Sequence, residues 1–137
     1  MLSRCINAIS DTKFKELALQ RGQFIFLTRI CENPGINHID LSNLLKVDKT
    51  TTTKAIQKLI DAGYIYKTRD DLDKRMWRLY VEKKGFKIYS LVIEEENHNI
   101  AVCFANFTEK EKESVQHLVK KMCENIENDW KILKNGE

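Results

Sequence analysis

A single proline and five glycines among 137 residues leave little material for a loop-rich or fibrous chain. Long apolar runs are missing as well. The longest, such as "FIFLT" and "IYSLVI", are far too short to span a bilayer. The opening "MLSRCINAISDTKFKE" has neither the apolar centre nor the small-residue cleavage site of a signal peptide, so a cytoplasmic protein with no membrane partner is expected. The four cysteines, Cys5, Cys31, Cys103 and Cys123, form no CxxC pair and have no histidine at metal-ligand spacing, which argues against a zinc site. Cys31, Cys103 and Cys123 sit among apolar helical residues and read as small core hydrophobes. His38, His98 and His117 are scattered and read as structural or solvent-facing. Gly-rich phosphate loops, nucleophile elbows and paired-His motifs are absent, so nothing points to an enzyme, a metal or a cofactor.

What the chain does have is charge, at 31%, beside 42% hydrophobic residues, the profile of a soluble helix-rich domain with a real core. The net charge of +3 is unevenly spread. Residues 49–87 hold eleven Lys/Arg against five Asp/Glu, whereas residues 88–137 hold six against ten. A basic middle third points toward a polyanionic partner.

Leu2, Ile6, Ile9 and Phe14 suggest a short opening helix over the first sixteen residues. "RGQFIFLTRICE" (21–32) gathers Phe24, Leu27, Ile30 and Cys31 on one side, and "NPG" stops it. Asn37, with Asp40 three positions on, caps a brief helix through Leu41, Leu44 and Leu45. "KVD" turns the chain into a second helix, opened by Asp48 or Lys49 and ended by Gly63. Helix, tight turn, helix is the helix-turn-helix pattern. "YIYKTR" (64–69) and "MWRLYV" (76–81) read as strands joined by the charged turn "DDLDKR", which makes the arrangement a winged helix: mainly α, with a small β-hairpin wing. A long helix follows from Lys83 to about Asn106. Thr108 to Glu111 form a capping box, opening a last helix in which Val115, Leu118, Val119, Met122, Ile126, Trp130 and Leu133 make a continuous apolar stripe. That stripe reads as a dimer interface.

Four consecutive threonines in "VDKTTTTKAIQKLIDAGY" are the oddity, because stiff β-branched residues are poor helix formers. At about 100° per residue, with Lys49 at zero, Thr52, Ala55, Ile56 and Leu59 cluster near roughly 290°. Thr50, Thr53, Lys54, Gln57 and Lys58 cluster near roughly 100°, almost opposite. One face packs on the domain; the other offers hydroxyls, an amide and ammonium groups. Short hydroxyl side chains at a helix N-terminus let the backbone approach phosphates and reach base edges, and the second helix of the pair is where a major-groove reader belongs. On the wing, Lys74 and Arg75, with Arg69 and Arg78 nearby, form a cationic projection suited to a narrow minor groove. Asp73 is placed to aim Arg75 by a bidentate contact with its guanidinium.

From "INHIDLSNLLKVDKTTTTKAIQKLIDAGYIYKTRDDLDKRMWRLYVEKKG", preceded by "RGQF", the chain resembles the MarR family of bacterial transcriptional regulators over about residues 20 to 88. The resemblance implies a winged helix-turn-helix homodimer that binds double-stranded DNA, usually as a repressor, and dimerises through helices at both ends of the chain. Residues 1–19 and 88–137 would then form the dimerisation region and 20–87 the DNA-binding domain. By position, Lys49, Thr50, Thr51, Thr53, Lys54 and Lys58 correspond to recognition-helix contacts, Arg75 to the minor-groove arginine and Asp73 to its orienting partner, with Lys74 beside them. Three departures stand out: Thr52 occupies the place of a buried Val, Glu82 that of a capping Thr, and the stretch before "RGQF" is shorter than the family's first helix. The resemblance also implies a small aromatic or lipophilic effector, which would change the spacing of the two recognition helices on a pseudo-palindromic operator. Two alternatives stand beside it: a winged-helix protein-interaction module that does not touch DNA, and a redox-sensing repressor acting through Cys5.

Overall fold

Short-range hydrogen bonds set most of the helix boundaries. The computed structural model describes residues 1–17, 19 and 22–136 and orders them as α1 (Leu2–Lys13), α2 (Phe24–Glu32), α3 (His38–Leu45), α4 (Lys49–Asp61), β1 (Ile65–Arg69), β2 (Trp77–Val81), α5 (Lys83–Cys103) and α6 (Glu109–Asn135). The mainly helical fold with one hairpin is as the periodicity predicts. Asn37 caps α3, its side chain accepting the Asp40 backbone N–H at 2.8 Å. Asp48 does the same for Thr51 at the mouth of α4, also at 2.8 Å. Gly63, at φ +75°, ends α4 with a paired closure: its N–H donates to Ile60 O at 2.9 Å and the Tyr64 N–H to Leu59 O at 3.0 Å. The Lys84 ammonium adds a bond to Ala62 O at 2.9 Å, where the helix carbonyls lack partners.

The chain divides into two compact units, Met1–Asn99 and Ile100–Glu137. In the first, α2, α3 and α4 pack on one another and on the hairpin. Leu27, Ile30, Leu41, Ile56, Leu59, Ile65 and Leu79 are almost wholly removed from water, and α5 contributes Ile88 and Val92. Each such side chain is worth about 1.5–3 kcal/mol of hydrophobic stabilisation, so these few residues dominate the unit's cohesion. The strands pair antiparallel with Ile65 opposite Val81 and Arg69 opposite Trp77. The hairpin does not stand alone. Gly35 N donates to Leu79 O at 2.9 Å and Leu79 N to Ile36 O at 3.0 Å, so the chain entering α3 pairs with β2 and ties the wing to the helical body.

In the second unit Thr108 and Glu111 close the expected capping box, at 3.2 and 2.7 Å, and Phe104 meets Phe107 edge-on at 5.3 Å. α6 buries none of its residues within the chain, and Leu118, Val119, Met122, Ile126 and Leu133 all stand exposed along its stripe.

Several boundaries and burials differ from expectation. α2 begins at Phe24, with Phe26 and Thr28 added to its buried side, and Arg21 lies outside the described residues. α5 ends at Cys103, short of Asn106, which takes a left-handed φ of 66°. Of the three cysteines expected in the core, only Cys31 is partly enclosed, and its thiol is pushed up to about 11 by burial and the neighbouring Glu32. Cys103 and Cys123 are exposed; Cys123 in particular lies on a helix that buries nothing within the chain. Among the described residues no helix is long and apolar enough to cross a membrane.

Candidate nucleic-acid interface

The threonine run of α4 separates into three roles. Thr52 is fully buried with Ala55, Ile56 and Leu59, on the face the periodicity assigns to the core. Its hydroxyl donates to Asp48 O at 2.9 Å, so a polar atom in the place of a buried Val leaves no unmet hydrogen bond. Thr51 belongs to the cap: its hydroxyl donates to Asp48 Oδ2 at 2.6 Å while its N–H bonds Oδ1. Those two bonds hold the Asp48 carboxyl below the usual carboxylate range. Thr50 and Thr53 stand exposed, with Lys49, Lys54, Gln57 and Lys58. Gln57 donates to Asp61 Oδ1 at 2.8 Å, one turn on.

The wing is built on a strut. Arg78 donates through Nε to Asp70 Oδ2 at 2.8 Å and through Nη1 to Gly35 O at 3.1 Å, and its Nη2 lies 2.8 Å from the same carboxylate oxygen in the ion pair. Asp70 Oδ1 in turn accepts the N–H groups of Leu72 at 2.8 Å and Asp73 at 3.2 Å. The Leu72 bond, then Arg78, lower the pKa of the Asp70 carboxyl. Arg78 therefore joins the body of the domain to the hairpin turn and does not belong to the cationic projection, where its sequence neighbourhood put it. Asp73 is likewise reassigned. Its Oδ1 accepts the Arg75 backbone N–H at 3.0 Å instead of gripping the guanidinium, because a carboxylate two residues back in a tight turn reaches the main chain first. It orients Arg75 through the backbone. Arg75 and Lys74 are both exposed. Lys67 and Arg69 lie over the Trp77 ring, 4.8 and 5.0 Å from its centroid, a cationic platform on β1.

Two clefts flank α4. One, about 380 Å³, brings Thr53 together with Asp73 and Arg75 of the wing and His38 and Trp77 beside them. Burial, then the charge of Lys67, holds the His38 imidazole below its ordinary pKa, favouring the neutral form. The other, about 800 Å³, has Thr51, Lys54 and Lys58 along one edge and Ile25, Phe26, Leu45, Val47 and Ala55 within. Lys49, Thr50 and Lys74 are exposed but line neither cleft, and Cys5 lies apart, exposed on α1. Asp70 and Trp77 were not singled out in the sequence, Arg78 was read there only as a neighbour of the wing's cations, and His38 as structural or solvent-facing. The acidic Asp70 standing eight residues before Arg78 across a turn was the available signal.

Comparison with known proteins bears on the family and the fold. The MarR family model matches residues 19–76. YybA, an HTH-type transcriptional regulator of Bacillus subtilis (strain 168), is 41% identical over 136 residues, 99% of this chain and 91% of its own length. A MarR protein from Peptoclostridium difficile superimposes with a TM-score of 0.92 at 59% identity, covering 96% of this chain and 86% of that one. A MarR family transcriptional regulator from Listeria monocytogenes, solved in complex with a 26mer DNA, gives 0.92 at 40% identity, covering 99% and 91%. A winged helix-turn-helix with these matches along its whole length belongs to the MarR family of transcriptional regulators, proteins that are not enzymes.

Proposed function

We propose that this chain is a homodimeric, cytoplasmic repressor that binds a pseudo-palindromic operator, with α4 in the major groove and the wing in the minor groove. The observation that carries the reading is the outward face of α4, where Thr50, Thr53, Lys54 and Lys58 are exposed on the side away from the buried Thr52, Ala55, Ile56 and Leu59, with Lys49 exposed at the helix mouth. In this reading the three lysines meet phosphates, Thr50 and Thr53 reach base edges, and Arg75 and Lys74 track the minor groove. Thr51 acts with Asp48 to fix the helix mouth, and Asp73 fixes the backbone at Arg75. Residues 20–87 serve as the DNA-binding domain. Residues 1–19 and 88–137 serve dimerisation.

The exposed α6 stripe supports the dimer, since leaving Leu118, Met122 and Ile126 in water is unfavourable and a second copy can cover them. Glutamate at both Leu118 and Ile126 is expected to reduce the sedimenting mass to that of one chain, with helix content kept. A native chain sedimenting as a monomer at high micromolar concentration would refute the dimer.

The larger cleft supports effector binding. Its apolar interior suits a small aromatic or lipophilic body, and the Lys54 and Lys58 ammonium groups suit an attached carboxylate. An occupant held there competes with DNA for the same two lysines. Selection of bound duplexes from a random pool tests the whole reading. Inverted repeats with half-site centres about 34 Å apart are expected, released by aromatic or aliphatic carboxylates. Recovery of no sequence preference would refute the operator, and release by none of these acids would refute the effector.

A further inference from the structure

Leu72 stands at the wing tip with 98% of its surface exposed. Nothing in the fold uses its side chain. Yet the turn beneath it is closely held: Asp70 Oδ1 accepts the N–H groups of Leu72 and Asp73, Asp73 O accepts the Met76 N–H at 2.9 Å, and Met76 O accepts that of Asp70 at 2.9 Å. The strut through Arg78 to Gly35 continues the support into the domain. A turn of this kind is satisfied by Asp, Asn, Ser or Gly, so an apolar residue at its apex adds nothing to its folding. An isobutyl group fixed in water on a rigid projection gains only when something covers it.

We propose that Leu72 is a specificity-determining probe of the minor groove, selecting A·T-rich steps beside each half-site; this rests on the DNA-binding reading given above. The minor groove is about 6 Å wide and deoxyribose-walled, and its floor carries only acceptors at A·T pairs, whereas G·C pairs add the guanine 2-amino donor. An apolar side chain seated on that floor displaces water. At A·T it covers the two acceptors of the pair; at G·C it covers those acceptors and the guanine 2-amino group as well, which stands up from the floor and is a further donor left without its hydrogen bond. The charges around the tip allow the approach. The Asp70 carboxylate is taken up by the Leu72 and Asp73 N–H groups and by Arg78, Asp73 Oδ1 accepts the Arg75 N–H, and Asp71, Lys74 and Arg75 are exposed, so cations stand within three residues of Leu72 to meet phosphates. Leu72 thus supplies contact without charge, and Arg75 and Lys74 supply charge.

The test uses the full chain and one selected duplex whose flanks are A·T, G·C or inosine·C. Inosine lacks the 2-amino group, so its minor groove resembles A·T while its major groove resembles G·C. Native protein is expected to bind A·T and inosine·C flanks about three- to tenfold more tightly than G·C flanks. Leu72→Ala and Leu72→Asn are expected to lose that preference with an unchanged salt slope, and Leu72→Met to keep it. Preference retained in Leu72→Ala, or inosine·C behaving like G·C, would overturn the proposal while leaving DNA binding intact. Native protein binding none of the three duplexes would overturn both.

Discussion

Alanine at Lys49, Lys54 and Lys58 together, which removes three lysines from each of the two protomers, lowers affinity for the selected duplex by at least about a hundredfold and makes the plot of log affinity against log salt shallower by about five. The slope is the sharper readout, because each ammonium docked on a phosphate releases close to one counterion, and removing it removes that release. All three lysines are exposed on α4, and none of them forms an ion pair among the described residues, so alanine there leaves no buried charge without a partner. Alanine is also the better helix former, so far-ultraviolet circular dichroism and melting should hold steady. Lost affinity with an unchanged slope would mean that the lysines act through something other than phosphate. Unchanged affinity would remove α4 from the interface.

Gly85→Ala destabilises the fold by about 3 kcal/mol, and two opposing effects decide the sign. Within a helix, alanine is favoured over glycine by up to about 1 kcal/mol. Here the added Cβ would stand 2.1 Å from Tyr64 O and 2.7 Å from Val81 Cγ1. No side-chain rotation relieves the first contact, because it is with backbone, and the same carbonyl already accepts the Glu82 N–H at 2.9 Å. α5 must therefore move off the base of the hairpin, opening the packing of Tyr64 and Ile65, which are almost fully buried. Urea unfolding measures the loss. Since Tyr64 leads into β1, the wing should also be misplaced and DNA binding weakened. A melting temperature equal to or above that of the native chain would contradict the close approach.

Much of the candidate interface's geometry was legible in the sequence because it depends on neighbours within one helical turn. The opposition of Thr52, Ala55, Ile56 and Leu59 to the lysine-threonine face follows from helical pitch alone. The caps at Asn37, Asp48 and Thr108 reach three residues along the chain, and Gly63 stops α4 by its own dihedral freedom. What was misread depends on partners that a linear pattern does not identify. Arg78 read as one more cation near the wing tip, whereas its guanidinium bridges Asp70 and Gly35, the latter 43 residues away. Asp73 had two targets within reach, the guanidinium and the backbone, and turn geometry chose the backbone. Cys103 and Cys123 looked like core residues because apolar neighbours resemble a core whether the covering partner is the same chain or another.

The sequence by itself determined the helices, the hairpin, the buried and outward faces of α4 and the family likeness, since these arise from dihedral preference, capping and periodicity acting over a few residues. Only the tertiary structure decided which cations stand free and which serve as struts, where the two clefts open beside α4, and that Leu72 projects from a braced tip. Those outcomes depend on which distant groups compete for one carboxylate, one carbonyl or one apolar surface, and that competition is resolved only when the chain is packed.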